Sequence, residues 1–193
     1  MKAAGGGLMK DAYELFENAQ RLFLKGKYRA SIDKFTRALQ AGQEPAIAYL
    51  SLGVAHLKVN EREQAIRDFD RAIEIDSGNV SAYYYRGTAH MLGEDYAPAV
   101  LDFSKAIEIH PEHRAAVFAR GVSYVNMGRG EEGSRDIRQA MVYAEAAMQG
   151  FSDMQGWRTQ LDKVIAAMEG GRHDEVELTE KEIETLKEWL KAA

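Results

Sequence analysis

Apolar residues and single small ones recur along residues 46–113 in a strict rhythm. One stretch reads Tyr49, Leu52, Gly53, His56, Ala65, Phe69, Ala72, and the next reads Tyr83, Arg86, Gly87, His90, Ala99, Phe103, Ala106, closed by Pro111. Every matching pair is 34 residues apart. Within each stretch the steps run 3, 1 and 3, then 9, then 4 and 3, and the threes and fours are the spacing of one helical face. The small residues mark close approach. Gly53, Gly87 and Gly121 would let the two helices of one repeat touch, and Ala72, Ala106 and Ala140 would do the same between neighbours. Tyr49, Tyr83, Phe69 and Phe103 fill the space between them.

The rhythm extends both ways. Residues 12–45 keep Gly26, Tyr28, Ser31, Phe35 and Ala38 in the second half. The first half is weaker, with Leu15, Asn18, Ala19 and Leu22. Residues 114–148 keep Val117, Arg120, Gly121 and Tyr124, whereas the pattern frays in the second half, where Gly133 and Ile137 replace the expected Ala and Phe; Ala140 stays in register, and the missing Pro lets this helix run on through Met141–Met148. Terminal repeats depart from pattern because one face meets solvent. Pro98 falls in the first turn of a second helix, where no N–H is needed.

This punctuation resembles the tetratricopeptide repeat, with its Trp-x2-Leu-Gly-x2-Tyr start followed by Ala, Phe, Ala and Pro. The resemblance implies an all-α, right-handed superhelical solenoid of about four helix-turn-helix repeats, at 12–45, 46–79, 80–113 and 114–148. Residues 1–11, with their run of glycines, read as a disordered lead-in. Residues 149–169 read as a closing helix with Met154, Trp157, Leu161, Val164, Ile165 and Met168 on one face, stopped by Gly170 and Gly171. A polar linker at 170–178 leads to a C-terminal amphipathic helix at 179–193. Thr179 and Glu182 form its capping box, and Ile183, Leu186, Trp189 and Leu190 form its apolar stripe.

Composition narrows the function. There is no cysteine, hence no disulfide framework and no thiolate metal site. No stretch is long and apolar enough for a membrane span or a signal peptide, so a cytoplasmic location is expected. The net charge is −5, and eight acids against four bases between Glu169 and Ala193 place most of it in the tail. No basic footprint of a nucleic-acid binder is present. No phosphate loop, nucleophile elbow or HExxH motif is present either, and neither an enzyme nor a cofactor is expected. His56 and His90 hold the aromatic position of their repeats without a supporting ligand cluster, so no metal is expected there. His110, His113 and His173 are expected to be solvated.

In the resembled family the first helix of each repeat lines the concave groove. Residue by residue, that implies Tyr13, Phe16, Gln20 and Phe23; then Ile47, Leu50, Val54, Leu57 and Lys58; then Ser81, Tyr84, Tyr85, Thr88 and Met91; then Ala115, Phe118, Val122, Val125 and Asn126. For Leu57, Met91 and Val125 the competing reading is packing between helices. An apolar surface of this kind marks an interaction site, which implies a protein partner presenting an apolar helix or extended segment. Some family members bind acidic chaperone tails with a Lys, Asn and Arg clamp. The matching positions here are Phe16, Gln20, Ser51, Ser81 and Tyr85 or, one repeat on, Leu50, Val54, Tyr85, Ala115 and Ala119, and neither set is basic. Asp68 with Arg86, and Asp102 with Arg120, are expected to pair across repeat junctions, with Asp136 reaching Arg158.

Two functions fit this pattern. One is an adaptor or chaperone-like scaffold that holds a partner's apolar segment in the groove. The other is a self-associating structural protein whose 179–193 helix docks in its own or a neighbour's groove, giving a homodimer in the second case.

Overall fold

The structure, a computed structural model, describes residues 4–42 and 45–141. Among the described residues there are eight α-helices and no strand. They run α1 Ala4–Leu24, α2 Tyr28–Gln40, α3 Pro45–Lys58, α4 Arg62–Ile75, α5 Val80–Leu92, α6 Tyr96–Ile109, α7 Arg114–Asn126 and α8 Gly130–Met141. α1 packs on α2, α3 on α4 and α7 on α8, while α2 also meets α3 and α6 meets α7. The chain divides into two compact units, Met1–Ala89 and His90–Ala193, with the division inside α5.

The turn inside each helix pair repeats with the sequence. Gly26, Asn60, Glu94 and Gly128 all have φ between 62° and 75°, and they stand 34 residues apart. Each donates its N–H to a carbonyl three residues back, and the next residue reaches five residues back. The bonds Asn60 N to Leu57 O at 3.0 Å and Glu61 N to His56 O at 2.9 Å show the pattern. These bonds satisfy the last carbonyls of the first helix and turn the chain directly into the second.

In the first unit, Phe16, Ala19, Phe35, Ala38, Ala48, Leu52 and Ala55 form one buried cluster across α1, α2 and α3. Ala65, Phe69 and Ala89 form another, ringed by Leu50, Val54, Leu57, Ile66 and Tyr85. A Cβ added at Gly53 would meet the Phe69 ring at 2.5–2.9 Å, so this glycine is where the ring lies on α3. In the second unit Phe103, Ala106, Val117, Val122 and Ile137 are buried. Pro45 opens α3 and Pro98 is the third residue of α6, both in first turns that lack internal N–H partners.

One expectation is corrected. α1 begins at Ala4, so residues 4–11 continue the first helix and are not a disordered lead-in. Once Ala12, Phe16 and Ala19 are packed, lengthening the helix adds one backbone bond per residue without a new nucleation cost. α8 continues through Gly133. A Cβ there would lie 2.9 Å from the Gly121 carbonyl oxygen and collide with Val125, so Gly133 permits backbone-to-backbone contact of α7 and α8. The end of the fourth repeat, the closing helix, the linker and the C-terminal helix lie outside the described residues. Among the described residues no helix is long and apolar enough to cross a membrane.

Candidate functional site

The face expected to line a groove is unevenly open. In the first unit Tyr13 is 57% exposed and Ile47 is 45% exposed. They hold the same position in successive repeats, on α1 and α3. Gln20 is exposed, and Leu50, Val54, Lys58 and Tyr85 are half-buried. Phe16 is buried with its ring 5.4 Å from that of Phe35, which makes it a core residue of the first helix pair. Tyr85 stacks on Phe69 with centroids 6.0 Å apart and meets the edge of Tyr84 at 5.2 Å. Tyr84 is buried, and burial raises its phenol pKa, against the opposing Thr88 hydrogen bond. Thr88 is buried and donates its hydroxyl to the Tyr84 carbonyl at 2.8 Å.

In the second unit Phe118 and Val122 are buried, and Asn126 donates its side-chain amide to the Val122 carbonyl at 2.9 Å. Met91 is wholly buried, as the packing alternative for that residue required. Leu57 and Val125 are half-buried. The tail residues Ile183, Leu186, Trp189 and Leu190 lie outside the described residues.

The polar residues between the helices depart from expectation. Arg86 does reach back to α4, where it pairs with Asp70 at 2.6 Å, whereas Asp68 was the expected partner. Asp68 instead accepts from His56 Nδ1 at 2.6 Å, while Glu61 stands 3.7 Å from the other ring nitrogen. Arg120 binds Asp136 of its own repeat with two hydrogen bonds, at 2.7 and 3.1 Å, and reaches Ser104 at 3.3 Å. Those Asp136 bonds raise the guanidinium pKa further. Asp136 is therefore engaged by Arg120, whereas Arg158 was the expected partner. The reason is geometric: an aspartate two residues along, or a cation in the same repeat, lies closer than the residue matched by sequence position alone.

His113 is also not solvated. It is half-buried, and its Nδ1 accepts from the Ala116 N–H at 3.1 Å as the cap of α7.

The model of the tetratricopeptide repeat matches residues 16–59 and 55–114, together just over half of the chain. The chain belongs to the tetratricopeptide-repeat family. Solved structures of such proteins share its fold. The OM64 TPR domain of Arabidopsis is 26% identical over 60% of this chain and 96% of that one, with a TM-score of 0.58. YrrB, described as a TPR protein with an unusual peptide-binding site, is 22% identical over 74% and 73%, with a TM-score of 0.64. MamA from Desulfovibrio magneticus RS-1, residue 41 to its end, is 14% identical over 94% and 96%, with a TM-score of 0.74. No curated protein matches the chain at a significant level. The all-α helical-repeat solenoid expected from the sequence is thus the fold of this tetratricopeptide-repeat chain.

Proposed function

We propose that this tetratricopeptide-repeat chain is a non-enzymatic scaffold that binds an apolar helix or extended segment of a partner protein. The observation that carries this reading is the exposure of Tyr13 and Ile47 at one repeat position, beside half-buried Leu50, Val54 and Tyr85. Large apolar side chains held at the surface of a packed array lose water only when something covers them. Anchors at regular spacing along two helices suit a partner segment that offers apolar residues on one face. Gln20 is exposed on α1 and Lys58 half-buried on α3.

A partner with an acidic terminus fits less well. A neighbour of this fold, the first TPR of Spaghetti, is described as bound to the HSP90 peptide SRMEEVD. The corresponding clamp positions here carry Phe16, Gln20, Ser51, Ser81 and Tyr85, which offer a carboxylate no charge-assisted bond.

Affinity capture from native extract tests the proposal, comparing the full chain with a Tyr13→Ser/Ile47→Ser double variant. Both residues are exposed, so the variant should remain folded by circular dichroism. The expected result is a partner retained by the parent and lost by the variant. A partner held equally by both would overturn the reading. An acidic partner released by moderate salt, with no dependence on these two residues, would instead favour a charge clamp.

A further inference from the structure

Two junctions between helix pairs have the same backbone and different side chains. At the first, α4 ends at Asp76 with φ −133° and ψ 91°; at the second, α6 ends at His110 with φ −132° and ψ 88°. Three residues further on, each junction caps the next helix. Asn79 Oδ1 accepts from the Ala82 N–H at 3.0 Å, and His113 Nδ1 accepts from the Ala116 N–H at 3.1 Å. In each case the same N–H also faces the cap residue's own carbonyl, at 3.1 and 2.9 Å. The junctions are therefore equivalent in geometry, but one uses an amide, which has no proton to gain near neutrality, and the other uses an imidazole, which does.

We propose that the 110–113 junction is a proton-sensitive cap: neutral His113 ties down the amino end of α7, and protonation releases it. A protonated Nδ1 is a donor and can no longer accept the Ala116 N–H. The His110 ring, with its centroid 6.1 Å away and edge-on, adds like charge when both rings are protonated. Burial holds the His113 pKa below its ordinary value, and His110 pushes the same way.

Among the described residues, charged groups lie on each element that meets the junction. Glu112 is exposed and Arg114 half-buried on either side of His113, Lys105 and Glu108 on α6 pair at 2.7 Å, and Arg135 and Arg138 on α8 are exposed. A base whose folded pKa is lowered is neutral in the fold and protonated when unfolded. Stability at α7 is therefore full above about pH 6.5 and falls as pH drops through the folded pKa. The helix so governed is the one that carries Phe118, Val122 and Asn126. The cap itself is independent of whether that face binds a partner.

Amide hydrogen exchange on the full chain at pH 7.5 and 5.5, corrected for intrinsic rates, tests this directly. Ala116 should lose about fivefold in protection on acidification, the effect expected for one lost cap. Ala82, capped by Asn79, should not change relative to the rest of its unit. His113→Asn, which copies the cap already present at Asn79, should abolish the drop at Ala116. His110→Asn should keep the drop but move it to higher pH, because the like charge is gone. Unchanged Ala116 protection in the parent, or an equal drop in the His113→Asn variant, would overturn the proposal. A drop at unchanged pH in the His110→Asn variant would contradict the part given to His110.

Discussion

The second and fourth repeats place an aspartate at the same position and hold it differently. Asp68 and Asp136 are equivalent, yet Asp68 is bound by His56 and Asp136 by Arg120. The cause is the companion on the first helix. The second repeat has Leu52 where the fourth has Arg120, so its aspartate takes the histidine one turn further along. In the fourth, Tyr124 occupies the histidine position and leaves the aspartate to Arg120, its own ring lying 4.4 Å from the Arg129 guanidinium.

The apolar contacts diverge for a parallel reason. A Cβ added at Gly53 would meet the Phe69 ring, whereas one added at Gly121 would meet Ile137 at 2.9 Å and the Gly133 carbonyl oxygen at 3.0 Å. Smaller fillers in the fourth repeat bring the two backbones together. A periodic pattern fixes which positions are occupied, and the local set of neighbours decides what each occupant touches.

The largest expected effect separates the two aspartates. Asp136 is 6% exposed and holds two bonds from Arg120, so Asp136→Ala leaves a partly buried cation without its main partner and should cost about 3 kcal/mol. Asp68→Ala, which removes a single bond to a half-buried histidine, should cost about 1 kcal/mol. Urea unfolding of the two variants measures the difference, and equal losses would contradict the distinction.

Next is Gly133→Ala. The substitution restores the residue found at Ala65 in the second repeat, and on helix propensity alone it should stabilise. Contact with the Gly121 carbonyl and Val125 should instead make it destabilising by about 2 kcal/mol, seen as a lower thermal midpoint. A gain in stability would show that α7 and α8 separate easily.

The smallest effects lie in the turns. Gly128→Ala forces a Cβ into a left-handed residue with φ 75° and should cost about 1 kcal/mol. Asn60→Gly relieves the equivalent position, φ 62°, and should gain a few tenths, because asparagine tolerates that region better than most residues.

Much of the fold was legible because it is written in spacing. The 34-residue offset of Gly53 and Gly87, or of Phe69 and Phe103, carries the resemblance to the tetratricopeptide repeat, which implies helix pairs. The start of α1 was not legible, since glycines 5–7 carry poor helix propensity and only packing further along sustains them. Gly133 read as a defect because sequence alone shows a missing methyl group, not the carbonyl that takes its place.

The candidate face was half legible. Position along the repeat singled out Tyr13 and Ile47, which are exposed. It could not tell them from Phe16 or Thr88, whose neighbours on other helices bury them. His113 was missed because its cap depends on backbone geometry that only comparison with Asn79 makes visible.

Binding at the Tyr13 and Ile47 face is tested most directly by selecting binders from a random peptide display library on the full chain. Selection should enrich peptides with two or more large apolar residues at helical or alternating spacing, and the Tyr13→Ser/Ile47→Ser variant should lose them by at least tenfold in affinity. Enrichment of acidic termini, or binders indifferent to both substitutions, would contradict it.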